Sequence, residues 1–361
     1  MRIAHTEASL GWGGQEIRIL SEAAGLVARG HEVVIFAPRE SRIYREALAR
    51  KLATKAIPIG RKNLRGLAAM RRALARERFD VVNVHSSTDA WLAALACRTL
   101  TLAPPLVRTR HISAAIPDNA PTRWLYQRAM RHIVTTGEQL RAELVNERGI
   151  AADRVTSVPT GIDAALFQPG DRRAARAALG LPADRTLIGI IATLRSWKGH
   201  RTLIEAFRRL PGDQCALVIV GDGPQRQTIA GLVESHALGA RVTLAGDQQD
   251  VVPWLQAIDI FALPSYANEG VPQALVQAML CEAACVTTAV GAIGEAAVAG
   301  ETALVVEPED PGELTRALAV LAADRNLRER LGRAARTHAL ERFGYAHMLD
   351  RMEAIFRTAA S

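Results

Sequence analysis

Aromatic residues make up only 4% of this 361-residue chain. A core this poor in rings must be built from the alanine-rich aliphatic share of a 49% hydrophobic composition, which suits close packing of helices on sheets. No run of about 18 uncharged apolar residues occurs, so no segment is expected to span a bilayer. The opening "MRIAHTEASLGWGG" lacks the apolar core of a secretory leader. It reads instead as a strand and a glycine turn, and a cytoplasmic location is expected. Cysteine is scarce as well: Cys97, Cys215, Cys281 and Cys285 are scattered, and only the last two are near each other. Those two could sit on adjacent turns, but no His or Cys pair nearby completes a zinc site, so they are read as small buried hydrophobes. There is no repeat and no low-complexity segment.

What is present describes a soluble globular protein. The length favours two domains over a single core. With 23% charged residues, a net charge of +8 and a pI near 9.8, the chain calls for an anionic partner. Basic residues are not interleaved with aromatics and no nucleic-acid module is recognisable, so nucleic acid is set aside. Phosphorylated small molecules and an anionic membrane surface remain.

The first half alternates short apolar runs with longer helical stretches. "RIAHTE", "EVVIFAP", "DVVNVHS", "PLVRTR" and "HIVTTG" read as parallel strands that are apolar on both faces. "GQEIRILSEAAGLVARG" reads as a helix capped by Gly30. The pattern resumes with "TLIGIIATL", "CALVIVGDG", "RVTLAG", "IDIFALPS" and "ACVTTAV". Two βαβ series predict two Rossmann-like, doubly wound α/β domains. The joint is placed in "SVPTGIDAALFQPGDRR", Ser157 to Arg173, giving domains over 1–160 and 161–344 that face an interdomain cleft. The end, residues 345–361, is an amphipathic helix.

In open α/β sheets ligands collect at the carboxyl ends of the strands, so the loops there carry the chemistry. "GWGGQE", Gly11 to Glu16, has glycines that let backbone approach a phosphate at a helix N-terminus, with Glu16 where a dinucleotide fingerprint would have its third glycine. In "TLRSWKGH", Arg195 and Lys198 lie three apart at a strand-to-helix junction. Two cations there oppose the helix dipole unless an anion joins them, and a diphosphate would do so. "VIVGDGPQR" is a sharp turn with its proline at a first helical position. "DIFALPSYANEGVPQALVQAML" runs from a strand through Ser265 and Asn268 into a helix expected to start near Gly270. Glu269 at that entrance could accept hydrogen bonds from sugar hydroxyls or simply complement the dipole. Gln277 follows eight residues later, and eight residues at about 100° each bring it to within about 80° of Glu269, so both can border one ligand. His85 in "NVHSS" and His111 in "RTRHIS" end strands of the first half. The segment Gly60 to Phe79, with Lys62, Leu64, Arg65, Leu67, Met70, Arg71, Arg72, Leu74, Arg76 and Arg78, reads either as a basic amphipathic helix for an anionic membrane or as an ordinary outer helix.

This ordered series resembles the retaining nucleotide-sugar glycosyltransferases of family 4, which have the GT-B fold. It runs from "GGQE" through "SVPTGIDAALFQP", "LRSWKGH" and "VGDGPQ" to "EGVPQALVQAMLCEAACVTTAVGAIGEAAVAGETALVVEPEDP". The "GWGGQE" start is most like enzymes of lipopolysaccharide core or surface-glycan synthesis. The resemblance implies transfer of a sugar from a UDP- or GDP-sugar to a lipid-linked or lipopolysaccharide glycan, with retention and with no cofactor or metal required. By position it implies that Arg195 and Lys198 hold the donor diphosphate and Glu269 the sugar. Gln277 would stand where the family's second acid holds the ribose. Gly13, Gly14, Gly221, Gly270, Val271, Gln273 and Ala274 would approach the donor, although Pro272 has no N–H to offer. His111 would meet the sugar, with Gln15, Glu16 and His85 as acceptor-side candidates, and the last helix would pack back on the first domain. A nucleotide-sugar 2-epimerase shares the fold and is the near rival. A nicotinamide-dependent oxidoreductase is the distant one, opposed by the missing third glycine and by Pro38 and Arg39 where an acidic residue should end the second strand.

Overall fold

A computed structural model describes residues 1–111, 115–267 and 269–361. The chain divides into two compact units, Met1–Thr160 with Ala346–Ser361, and Gly161–Tyr345.

In the first unit the strands are β1 (Arg2–Thr6), β2 (Glu32–Ala37), β3 (Ala53–Ala56), β4 (Val81–Val84), β5 (Leu106–Arg110), β6 (His132–Thr135) and β7 (Val155–Ser157). They pair in the order β3-β2-β1-β4-β5-β6-β7, every pair parallel. The five expected strands are all there. The edge strand "ATKA" went unread because three of its four side chains are exposed, so it has no apolar signature. The helix after β1 spans Gly14–Ala28, and Gly30 closes it with φ +84 while His31 N–H reaches back to the Leu26 carbonyl. The strand "PLVRTR" is not apolar on both faces: Arg108 and Arg110 are buried, with the Arg108 guanidinium 4.5 Å from the Tyr126 ring centre and Arg110 donating to the Tyr126 hydroxyl. The last helix, Tyr345–Ala360, belongs to this unit from Ala346 onward. Arg29 pairs with Asp350 at 2.7 Å and Glu353 at 3.2 Å, and Phe356 is fully buried.

The second unit holds β8 (Thr186–Ile191), β9 (Cys215–Val220), β10 (Val242–Gly246), β11 (Ile260–Leu263), β12 (Ala284–Thr287) and β13 (Ala303–Val305). Their order is β10-β9-β8-β11-β12-β13, again all parallel. Cys281 and Cys285 do not share a helix: the first ends the helix Gln273–Leu280 and the second lies in β12. Burial pushes the Cys281 thiol up to about 12 and Cys285 higher still, so both are inert packing groups.

Strand order reverses between β1 and β4 in one sheet and between β8 and β11 in the other. At such a switch point the loops leaving the two strands part in opposite directions and open a crevice. The loops after β1 and β4 carry Glu7, Gly13 and His85; those after β8 and β11 carry Arg195, Lys198 and Glu269.

Candidate functional site

In the second unit the loops after β8 and β11 are locked together. Gly199 has φ +75, and a Cβ there would lie 2.0 Å from the Pro264 carbonyl oxygen, so only glycine lets the two loops touch. Tyr266 N–H donates to the Trp197 carbonyl at 2.9 Å across the same seam. This contact places Lys198 opposite Glu269, seventy-one residues away in the chain. Lys198 Nζ lies 2.7 and 2.9 Å from the two Glu269 carboxylate oxygens, and Ser265 Oγ donates to Oε1 at 2.7 Å. Glu269 is buried and its lysine partner mostly so. The main chain of Glu269 is held from behind: its carbonyl accepts from Ala292 N–H, and Gly291 packs so closely that a Cβ would fall 2.2 Å from that oxygen.

The anion called for by the basic pair is thus partly supplied by the protein. Lys198 ends a short 3-10 turn, Ser196–Lys198, and the helix begins only at His200. Arg195 is exposed, its guanidinium 5.2 Å from the Trp197 ring centre. Gly221 lies beyond β9, where a Cβ would meet the Ala192 carbonyl at 2.0 Å, and Pro224 precedes the next helix, Arg226–Ser235, without entering it.

The helix after Glu269 starts at Gln273, not near Gly270, because Pro272 is extended at φ −71, ψ 124 and stands as its cap. Residues 269–272 are therefore non-helical, and the rotation that linked Glu269 to Gln277 does not apply. Gln277 is instead one turn beyond Gln273, and both are half-buried. Gly270 and Val271 are buried in the entry turn, Ala274 is half-buried, and Asn268 is outside the described residues.

In the first unit Gly13 is extended and precedes the helix that Gly14 begins. Gln15 donates to Glu7, which also accepts from Ser9 N–H at 2.7 Å. Glu7 is fully buried; burial first, then Asp89 and Glu16, hold its carboxyl well above the ordinary range. Asp89 accepts from Thr6 Oγ1 at 2.5 Å and from His85 N–H at 3.0 Å. His85 and His111 come together: His85 Nδ1 is 2.9 Å from His111 Nε2. The other face of His85 meets His5, with His85 Nε2 3.0 Å from His5 Nδ1. His5, Glu7 and Asp89 were not singled out from sequence. The available signal was a polar side chain inside or just after an apolar strand run, as His5 and Glu7 are in "RIAHTE".

Residues 171–338 match the family Glycosyl transferases group 1, and residues 12–166 match Glycosyltransferase Family 4. The chain is a glycosyltransferase of this type. The two matched stretches contain the Lys198–Glu269 pair and the His85–His111 pair respectively. The D-inositol 3-phosphate glycosyltransferase of Mycolicibacterium paratuberculosis is 29% identical, covering 96% of this chain and 86% of the relative. That of Mycobacterium bovis is 31% identical over 78% of this chain, which spans only 62% of that relative's length. Among solved structures, Anabaena HepE in complex with UDP-glucose superposes with a TM-score of 0.88 at 19% identity, covering 99% of this chain and all of that one. WaaG, a glycosyltransferase involved in lipopolysaccharide biosynthesis, gives 0.75 at 18% identity, covering 98% of this chain and 99% of its own. These structural likenesses establish the GT-B fold of this transferase. The family matches, which the fold alone would not supply, point away from the epimerase and oxidoreductase readings.

Proposed function

We propose that this enzyme transfers a sugar from a nucleoside diphosphate sugar, with UDP or GDP as the nucleotide, with retention at the anomeric carbon. The observation that carries this reading is the buried Lys198–Glu269–Ser265 constellation at the β8/β11 switch point. Lys198 is assigned to the donor diphosphate together with exposed Arg195, where cations offset the charge that builds on the leaving phosphate. Glu269, an acceptor-only group when ionised, takes hydrogen bonds from hydroxyls of the transferred sugar. As the donor enters, Lys198 turns part of its charge from the carboxylate to the phosphate, and sugar hydroxyls replace what Glu269 gives up. Backbone N–H groups of Gly270, Val271, Gln273 and Ala274 approach the donor, and Gln277 accepts from the ribose. The HepE complex with UDP-glucose supports a UDP-sugar among the candidates.

Two acceptors are considered. The WaaG likeness favours a lipid-linked or lipopolysaccharide glycan, and the names of the sequence relatives favour a phosphorylated inositol. Incubation with a panel of nucleotide sugars and both acceptor classes separates them. One donor is expected to turn over, and Glu269→Gln is expected to remove most of that turnover. Unaltered kcat/KM in Glu269→Gln on that donor would sink the site assignment.

A peripheral position on the cytoplasmic face of a membrane is proposed on electrostatic grounds alone. Within the helix Leu64–Arg76, Met70 and Leu74 are buried in the core and only Leu64 of the apolar stripe is fully exposed, so the helix is not built to insert. Its outer surface carries Arg65, Arg71, Arg72 and Arg76, flanked by Arg61, Lys62 and Arg78. Among the described residues no helix is long and apolar enough to cross a membrane. Anionic vesicles should retain the protein at low salt and release it at high salt. Equal binding to neutral vesicles would overturn the electrostatic mechanism.

A further inference from the structure

Three imidazoles in the first unit form one continuous chain. His5 is the fourth of the five residues of β1, at the position paired with Asn83 of β4; His85 follows β4 and His111 follows β5. The two ring-to-ring contacts are 3.0 and 2.9 Å, each joining an Nδ1 to an Nε2. His5 and His85 are stacked at 18° between planes, and His85 and His111 are inclined by 33°. His5 is fully buried and His85 nearly so. Phe356 from the last helix sets its ring at 73° to His5 with centroids 6.2 Å apart. The backbone fixes the other members. Asp89 accepts from His85 N–H, and Thr136 Oγ1 donates to the His111 carbonyl at 3.1 Å.

Burial holds all three rings neutral, His5 down to about 3 and the other two well below their ordinary value. A neutral imidazole has one N–H and one bare nitrogen. In a chain of such rings each contact needs one donor and one acceptor, so all three must point the same way. Only two polarities exist, and whatever decides one end decides the other.

The deciding end is at Glu22. Its Oε1 lies 3.9 Å from His5 Nε2, too long for a hydrogen bond, and neither atom has another hydrogen-bond partner among the described residues; the Arg18 cation bears on all three rings as well and helps to hold them neutral. Glu22 and Arg18 are both fully buried, with Arg18 Nε 3.4 Å from Glu22 Oε2. The Arg18 guanidinium does not give up its proton and is steadied by the Val158 carbonyl at 2.6 Å. Burial holds the Glu22 carboxyl above its ordinary value, with Arg18 and Asn83 drawing it only part of the way back; the buried guanidinium beside it still makes the carboxylate the compensated state. A carboxylate favours the N–H, not the lone pair, on the nitrogen facing it. His5 is then protonated at Nε2 and accepts at Nδ1 from His85 Nε2–H, and His85 accepts at Nδ1 from His111 Nε2–H.

We propose that His5 and His85 are positioning residues that hold His111 as its Nε2–H tautomer, leaving Nδ1 a bare acceptor for a hydroxyl of the sugar. The use of that acceptor rests on the assignment of His111 to the sugar; the tautomer does not. A freely exchanging histidine would present Nδ1–H for part of the time and meet a hydroxyl donor with a donor. The chain removes that state before substrate arrives, and the fixed ring planes also aim the lone pair.

Long-range proton–nitrogen correlation on the ¹⁵N-histidine-labelled, ligand-free protein at pH 7.5 reads the tautomer directly. His111 should show a protonated Nε2 and a pyridine-like Nδ1. A protonated Nδ1, or an averaged signal, overturns the proposal. His5→Phe keeps the ring packing and cuts the link to Glu22, so the His111 signal should move towards a tautomer mixture. Its kcat should fall about tenfold, the worth of one hydrogen bond to the transferred sugar, while KM for the donor changes little. An unchanged His111 tautomer in His5→Phe also overturns it. If the wild-type tautomer is as expected but His111→Ala keeps full turnover, the relay stands and the sugar contact at His111 fails.

Discussion

Removing Lys198 tests whether its bond to Glu269 is an energetic unit or a chance approach. Lys198→Ala deletes two charge-assisted contacts of 2.7 and 2.9 Å and leaves the Glu269 carboxylate, among the described residues, with the Ser265 hydroxyl as its side-chain donor. Breaking a fully buried pair from one side costs about 3–5 kcal/mol, because the surviving charge stays desolvated. Here the lysine side chain is 20% exposed and the carboxylate 6%, so water reaches one partner. A discounted cost of about 2–4 kcal/mol is expected. For a unit spanning Gly161–Tyr345 that corresponds to a fall in Tm of roughly 5–15 °C, since each kcal/mol moves a domain of this size by about 2–4 °C. Glu269→Gln should cost less, about 1–2 kcal/mol, because the stranded group is then a lysine that can swing to solvent. The double variant removes both charges and should be no worse than Lys198→Ala alone. The resulting coupling, about 1–3 kcal/mol, can be measured by denaturant unfolding of the four proteins. Calorimetry with a nucleoside diphosphate supplies the functional half. Arg195→Ala should weaken binding by about 1.5–3 kcal/mol without a change in stability, and Lys198→Ala by more, since the bared carboxylate then repels phosphate. Strict additivity of Lys198→Ala and Glu269→Gln would refute the reasoning, for the two groups would then not sense each other.

Gly291→Ala puts a methyl group 2.2 Å from the Glu269 carbonyl at φ +60, so it should destabilise the second unit by about 2–4 kcal/mol and cut turnover, although residue 291 supplies no side chain to the site. Turnover and Tm equal to wild type would show that the 291–292 loop does not set Glu269. Acid stability of the first unit should carry the mark of its histidines. His5 titrates near 3 when folded against 6.5 as its ordinary value, so its contribution is complete above about pH 6.5 and is lost as pH falls towards 3, while the unfolded chain takes up the proton. The slope reaches at most about 1.4 kcal/mol per pH unit for each such histidine. Glu7, raised by burial, acts in the opposite sense, so the His5 share is read as the difference in slope between wild type and His5→Phe; parallel lines would refute it.

Regular structure was legible where burial leaves a simple trace. The ten runs read as strands are strands, and most are covered on both faces, which writes itself as apolar, β-branched residues without alternation; "PLVRTR" with its buried arginines and the half-exposed edge strand Val242–Gly246 depart from that pattern. Reading failed at the margins of the sheets. "ATKA" is an exposed edge, and the three-residue strands Val155–Ser157 and Ala303–Val305 are too short for any period to show. The helix begins at Gln273, three residues beyond Gly270, because Pro272 in its extended conformation ends the loop where a proline at a helix start would look the same in sequence. The candidate site was legible as loops but not as pairs. Lys198 and Glu269 were each visible as charges at strand ends. Their union depends on Gly199 meeting the Pro264 carbonyl, a contact between chain segments about 65 residues apart that no local pattern encodes.

The two constellations share a physical logic that bears on how such a site is kept ready. A buried ion pair is a poor device for stability, since an apolar pair of similar volume would serve as well or better. In the proposed donor site, Lys198 and Glu269 are two charges stored against each other until a ligand with both phosphate and hydroxyls separates their duties. The stored pair spares each group a full desolvation at the moment of binding, because neither leaves bulk water to meet the ligand. The histidine chain does the same for direction in place of charge: Glu22 and Arg18, sealed in the core, decide a proton position two rings away at His111. On the proposed assignments, Glu269 and His111 are each set by residues the donor does not touch, Gly291 and Ala292 for the first and His5 with Glu22 for the second. Under those assignments, substitutions at Gly291 and His5 should impair turnover just as substitutions at Glu269 and His111 should, although neither Gly291 nor His5 contacts the ligand in the proposed site.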